Sequence, residues 1–249
     1  MANRLKRWVP TCNRLVAFLD IMGFGNLVVR NEHDLVLNTL KEFAHEVDRV
    51  NTAGRRHPRG SVKAQHVAES APPDWLIKVV YFSDSVLLVS RDDSLESVRQ
   101  TFVATRWLLA QSWKLKVPIK GAIAYGKQTA NFKRSIHFGK PLIDAFELQN
   151  QLLLYGVILH HSLERLISDS PKMHYLRKER INKYPAPMKN GNINHYVVVP
   201  DDNDLGNNSK LEDVVLALYG MVSGAPRIYV DNTYEFVTWL HKKANKVSE

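Results

Sequence analysis

Cysteine is nearly absent: Cys12 is the only one in 249 residues. A single thiol cannot close an internal disulfide, which excludes a disulfide-stapled secreted scaffold and favours a reducing compartment. Glycine and proline are sparse, at 12 and 11, and collagen-like or low-complexity chains need several times more. Long apolar runs are missing too. The longest, residues 152–159 and 214–218, fall well short of the ~18 residues a membrane helix requires. The basic start, residues 1–14, leads into a brief apolar stretch that Asp20 ends at once, a poor secretory signal. A cytoplasmic protein with no membrane partner is expected.

Hydrophobic residues make up 45% of the chain, enough for a substantial core. Charge is unbalanced: 34 Lys and Arg against 25 Asp and Glu leave a net +9. An excess of that sign points to an anionic partner, whether nucleotide, nucleic acid or acidic lipid. By itself it does not choose among them.

No fixed-period repeat is present. Residues 14–19 read as a buried strand ending at Asp20, and Gly23 and Gly25 then break the chain. Residues 34–50 carry one apolar helical face. Residues 52–73 are rich in Gly, Pro, Arg and Lys and read as a mobile loop. Residues 75–82 and 85–90 form a hairpin signature around Ser83-Asp84. A helix starting at Asp93 and running to 115 follows, stopped by Pro118. The spacing then predicts a strand over 119–125 closed by Gly126, a short strand within 133–138, and a helix over 141–154 stopped by Gly156. A strand over 157–159 and a helix over 161–167 come next. Residues 170–191 look like a polar connection, and 194–199 a strand. Ser209 and Glu212 suggest a capping box opening a helix to about 222, and 232–244 a final helix. The β-α-β-β-α-β order is that of an α+β, ferredoxin-like split βαβ core, with antiparallel strands and helices on one face. Residues 1–160 form this core; residues 161–249 are a C-terminal extension packed on the same domain.

Chemistry concentrates at two places. In Phe18-Leu19-Asp20-Ile21-Met22-Gly23-Phe24-Gly25, a carboxylate sits where a buried strand opens into a glycine turn. Glycines let backbone N–H groups approach phosphate oxygens. In Tyr81-Phe82-Ser83-Asp84-Ser85, another carboxylate sits at a hairpin tip. The split βαβ order makes the first strand and this hairpin neighbours, which places Asp20 beside Asp84. Two close carboxylates repel unless one is protonated or cations lie between them. Oxygen-only ligands select Mg²⁺ or Mn²⁺, and two such ions suit in-line displacement at phosphorus. The 10 His residues include no H-E-x-x-H or Cys/His zinc spacing.

These residues resemble the class III nucleotide cyclase catalytic domain. The strand with its metal Asp matches residues 18–24, and the second metal Asp matches Asp84. A later strand with a Gly stop matches 120–126, and a Gly-led helix matches 138–148. The resemblance covers about residues 15–159. It implies metal binding by Asp20, Asp84 and the Ile21 carbonyl. It also implies a phosphate cradle from the N–H groups of Met22, Gly23, Phe24 and Gly25, a nucleoside triphosphate substrate, and a homodimer with composite sites.

Departures from the family pattern are specific. The purine-reading positions hold Val80 and Ile136, with Lys78 and Tyr81 as candidate base-orienting residues. The helix positions that should supply Asn and Arg hold Ile143 and Glu147. Lys133, Arg134 and Lys140 are candidates to replace the missing cation, with Arg14 or Arg55 from more distant segments. This mix is similar to the bacterial Pycsar pyrimidine cyclases, which make cyclic UMP or cyclic CMP in antiphage defence and act through an effector. UTP is expected ahead of CTP, with no nucleic-acid partner. The alternatives are a degenerate cyclase-fold nucleotide sensor without turnover, or a basic nucleic-acid-binding protein.

Overall fold

The computed structural model describes residues 8–53, 76–173, 181–206 and 209–247. The expected loop at 52–73 lies almost wholly outside them.

The expected strand over 14–19 is longer in the structure. β1, Thr11–Ile21, carries Asp20 inside the strand rather than after it. A short helix α1, Phe24–Arg30, follows Gly23 and had no counterpart in the expected elements. Gly23 makes the turn at φ 74, a left-handed value that glycine adopts without steric cost. Next come α2, His33–Ala53, and the hairpin β2, Ile77–Phe82, with β3, Ser85–Ser90. Helix α3, Leu95–Lys114, is capped by Ser94, whose hydroxyl accepts from the Ser97 N–H, rather than starting at Asp93.

Strand β4, Ile119–Asn131, runs straight through Gly126, so that glycine does not close it. Pairing explains the length: β4 matches β1 residue for residue from Ile119 opposite Ile21 to Thr129 opposite Thr11. β5, Ile136–Gly139, folds back on β4, and α4, Lys140–Gln151, ends before Gly156. β6, Val157–Leu159, and α5, His161–Asp169, come next.

The polar connection contains a strand the composition concealed. β7, Ile181–Met188, includes Pro185 and Pro187. It sits at the sheet edge, where a missing N–H costs no ladder bond if it faces outward. β8, Gly191–Val198, joins it to the sheet by pairing Val197 with Ile158 of β6. The extension is therefore continuous with the core sheet. The capping box stands at Asp201 and Asp204 of α6, Asp202–Leu205, not at Ser209. The Asp202 carboxylate accepts from the Leu211 N–H at the start of α7, Leu211–Ala217. The last helix is α8, Arg227–Val247.

The sheet order is β2-β3-β1-β4-β6-β8-β7, with β5 on β4. Its first four strands are the split βαβ arrangement, so the fold class is α+β and ferredoxin-like in core topology. Alternation along β1 separates two cores. Leu15, Ala17, Leu19 and Ile21 pack with Phe43 of α2 and Phe102 of α3. Val16 and Phe18 face the other side. That second face is also covered, contrary to the expectation of helices on one face only: Ala145 of α4 and Phe236 and Leu240 of α8 lie against it. Leu19 leaves no room for a side chain at Gly121, where a Cβ would come 2.5 Å from both the Leu19 side chain and the Phe18 carbonyl oxygen.

Candidate active site

Asp20 is the penultimate residue of β1, on the Phe18 face. Its Cα partners are Ser85 on β3 and Lys120 on β4. The β2–β3 turn is fastened to the same strand end: the Ile21 N–H donates to the Asp84 carbonyl oxygen at 2.7 Å. Ser83 takes a positive φ of 55 to close that two-residue turn. The two carboxylates expected to be neighbours are thus held at one end of the sheet by strand pairing and a turn hydrogen bond. Burial, reinforced by the Asp84 charge, pushes the Asp20 carboxyl from 3.8 up to about 6, against the opposing pull of Lys120.

Lys120 was not among the expected site residues. It is only 5% exposed, and its ammonium lies 5.6 Å from the ring centroid of Tyr229 on α8. Burial pulls its pKa down, Asp20 raises it and Lys189 lowers it further. A buried ammonium without a hydrogen-bonding anion is costly, so this one is suited to meet a ligand's negative charge. Its only signal in the sequence was a lone cation in the apolar stretch 119–125; the β1–β4 register is what sets it opposite Asp20.

The glycine turn divides the expected phosphate cradle. The Met22 N–H is already committed to the Pro118 carbonyl at 2.8 Å, which corrects its assignment as a phosphate donor. Gly23 precedes α1 and Phe24 and Gly25 open it; N–H groups at a helix start have no intrahelical acceptor. Phe24 packs on the α2/α3 core.

The base-orienting candidates lie apart from this cluster within one chain. Lys78 pairs with Val89, which pairs with Val16, four residues from Asp20 and thus about 13 Å along the sheet. Its ammonium sits between the rings of Trp8 and Phe132, at 4.9 and 4.6 Å. Tyr81 belongs to the α2-side core, edge-on to Phe43 at 6.3 Å. Burial first and then Asp84 raise its pKa.

The cation candidates are farther still. Lys133 and Arg134 are exposed in the β4–β5 turn. That turn begins eleven residues beyond Lys120 on β4, about 36 Å away. Lys140 follows Gly139, which pairs with Gln128, about 26 Å from the Asp20 level, and its ammonium contacts Asp144 at 2.5 Å. Arg14 is fully buried and donates to Cys12 and the Val9 carbonyl, so it is sealed from a ligand. Arg55 lies outside the described residues. On α4, Ile143 is exposed, and Glu147 lines a cleft of about 480 Å³ with Asp144, Leu148, Asn150, Gln151 and His160. That lining adds carboxylates and no arginine or lysine.

Among the described residues no three of His, Cys, Asp and Glu converge as a metal cage. The donor set at the β1 end nevertheless fits hard divalent cations: two mutually repelling carboxylates, all oxygen. Ligand oxygens would have to complete the coordination.

No known family model matches the sequence, and no curated protein matches it. Solved structures do. The chain is similar to the catalytic core of a rhodopsin-guanylyl cyclase with converted specificity, in complex with ATPαS. That match has 14% identity and a TM-score of 0.49, over 77% of this chain and 99% of the other. It is similar to a bacterial light-regulated adenylyl cyclase, at 12% identity and TM-score 0.46 over 85% and 98%. A class III adenylyl cyclase-like ATP-binding protein from Pseudomonas aeruginosa matches at 12% and 0.45, over 94% of this chain and 44% of the other.

Proposed function

We propose that the protein is a nucleotide cyclase that converts a pyrimidine nucleoside triphosphate, UTP ahead of CTP, to the 3′,5′-cyclic monophosphate and pyrophosphate. The observation that carries this reading is the triad at the end of β1. The Asp84 turn is fastened to the end of β1 through the Ile21 N–H, next to Asp20, and the buried Lys120 stands in register across from Asp20. The Asp20 carboxyl, pushed up by burial and by the Asp84 charge, beside a buried lysine with no salt bridge among the described residues, supports a site for a metal-bound polyphosphate.

In the reaction, a bond forms between the ribose 3′-oxygen and the α-phosphorus. The bond to the pyrophosphate oxygen breaks, and the 3′-hydroxyl proton passes to solvent. Positioning and charge neutralisation dominate such a displacement. Asp20, Asp84 and the Ile21 carbonyl would hold two Mg²⁺ or Mn²⁺ ions. When bound, those ions neutralise phosphate charge and polarise the attacking hydroxyl. Lys120 adds a fixed positive charge from the same chain. The N–H groups of Gly23, Phe24 and Gly25 supply neutral donors to the outer phosphates.

A homodimer is part of the proposal. Lys133, Arg134 and Lys140 are too far from Asp20 of their own chain to touch one ligand with it. A two-fold partner could bring its copies to that end. Apolar Val80 and Ile136 at the purine-reading positions support a smaller base, because apolar walls offer a purine no hydrogen-bond partners. As in the systems the sequence resembles, the product would serve as a cytoplasmic second messenger in antiphage defence, acting through an effector. No helix among the described residues is long and apolar enough to cross a membrane. The second reading, a nucleotide sensor without turnover, is favoured specifically by Ile143 and Glu147, which supply no transition-state cation.

The test is incubation with equimolar ATP, GTP, CTP and UTP and Mn²⁺, with products resolved by mass. Cyclic UMP is expected to dominate. Cyclic CMP would overturn only the choice of uracil, and cyclic AMP or GMP the pyrimidine assignment. Nucleotide binding without any cyclic product would establish the sensor reading instead.

A further inference from the structure

The C-terminal helix reaches the catalytic end of the sheet. Tyr229, in the first turn of α8, presents its ring to the Lys120 ammonium at 5.6 Å from the centroid, inside the range of a cation–π contact. Tyr229 is itself fixed from behind. Its ring stacks on Tyr155 with centroids 5.5 Å apart and planes 12° from parallel, and Tyr155 is 3% exposed. The helix is tied to the same loop twice. The Asn232 side-chain amide donates to the Leu153 carbonyl at 2.6 Å, and the Tyr155 N–H donates to the Thr233 hydroxyl at 3.0 Å. That loop is in turn joined to β4 next to Lys120, because the Gly121 N–H donates to the Gly156 carbonyl at 2.9 Å.

A continuous packed path therefore runs from α8 through Tyr155 and Gly156 to Gly121 and Lys120. The flexible part of the path is the lysine stem itself. Four rotatable bonds leave an ammonium free to turn away unless something holds it. The face of an aromatic ring does so without neutralising it, whereas a carboxylate partner would cancel the charge a phosphate needs. No salt bridge occupies the Lys120 ammonium among the described residues, so its charge remains available.

We propose that Tyr229 is a positioning residue: its ring holds the Lys120 ammonium beside Asp20, ready for the phosphates of a nucleoside triphosphate. The inference rests on the cyclase reading for the ligand, but its structural half stands on α8 alone. It makes the C-terminal extension part of the site rather than a cover over the sheet.

The experiment is a double-mutant cycle on the full chain, using inorganic tripolyphosphate as the calorimetric probe and turnover as a second readout. Tyr229→Leu should weaken tripolyphosphate binding about tenfold, as loss of a desolvated cation–π contact would, and raise KM more than it lowers kcat. Tyr229→Phe keeps the ring and should stay within about twofold of wild type. In a Lys120→Met background, Tyr229→Leu should add nothing further. If Tyr229→Leu does not fold, Tyr229→Met fills similar space without a π face and takes its place. Equal losses in the Phe and Leu variants, additive losses in the Lys120→Met background, or tighter binding by Tyr229→Leu would each overturn the positioning role. Failure of the wild type to bind tripolyphosphate would overturn the polyphosphate reading of the site, and this inference with it.

Discussion

Replacing Asp20 by Asn should stabilise the protein at neutral pH while abolishing its chemistry. The Asp20 carboxyl is pushed from 3.8 to about 6, by burial first and by Asp84 second. Between those values the folded protein holds a proton that the unfolded chain has released. Stability therefore falls as pH rises through that window, and the whole penalty stands above it. At about 1.4 kcal/mol per pKa unit the penalty would be about 3 kcal/mol. Asp20 is only half-buried, and solvent screening reduces the figure to about 1–2 kcal/mol. Asn is nearly isosteric and carries no charge, so it removes the penalty without opening a cavity.

Urea unfolding of both proteins, without divalent cations, measures the difference directly. At pH 7.5 the variant should be the more stable by that amount, or by about 2–8 °C in Tm for a chain of this size. The gain should shrink as pH falls toward 4, where the wild-type carboxyl is protonated folded and increasingly so unfolded. The same variant should form no cyclic product. A loss of stability at pH 7.5, or a gain that does not change with pH, would refute the account of Asp20 as a carboxylate kept ionised at a cost for a ligand's sake.

Adding Mn²⁺ at a hundred times its Kd should stabilise the wild type by about 2.7 kcal/mol; Asp20→Ala and Asp84→Ala should lose both this shift and cyclisation, and a retained Mn²⁺ shift in either would remove that residue from the metal site. Gly121→Ala forces a Cβ to 2.5 Å from Leu19 and the Phe18 carbonyl and should cost at least about 1–3 kcal/mol, read by chemical unfolding; a neutral result would mean β1 and β4 can separate freely. Phe138 is 61% exposed, so Phe138→Glu should leave monomer stability nearly unchanged but shift sedimentation from dimer to monomer and lower activity. A wild type that sediments as a monomer while fully active would refute the composite site.

The β1 strand and the β2–β3 hairpin were legible because their signals are local. Apolar and β-branched runs end at Asp20 and flank Ser83-Asp84, and the split βαβ order makes the two segments neighbours. What escaped was set by partners distant in sequence. β4 passes through Gly126 because β1 supplies a ladder that far. β7 tolerates Pro185 and Pro187 because it is an edge, a fact no local window contains. Ser209 lost the helix cap to Asp202, whose carboxylate reaches the Leu211 N–H at 2.8 Å from nine residues away. Met22 looked like a phosphate donor until Pro118 took its N–H. Lys120 was visible as a residue but not as a site residue, since only the β1–β4 register puts it opposite Asp20.

That register also bears on which cation would meet the phosphates in the proposed cyclase. The cations first considered lie toward the far end of β4, and the carboxylates lie at its near end. A single chain cannot join them, whatever side-chain rotamers it adopts. Lys120 needs no partner to stand beside Asp20, so it can supply charge in every copy of the chain. Residues of the distant hairpin can contribute only across a two-fold axis. The two sources make different demands on the same measurement. If Lys120 carries the phosphate charge, Lys120→Met should weaken polyphosphate binding by the same factor in a monomeric Phe138→Glu background as in the dimer. If Lys133 or Arg134 carries it, the monomer should already have lost that binding, and Lys120→Met should change little further. The division of labour we favour assigns phosphate binding to Lys120 within one chain, and base and transition-state contacts to the partner. On that assignment the monomer binds tripolyphosphate yet forms no cyclic product.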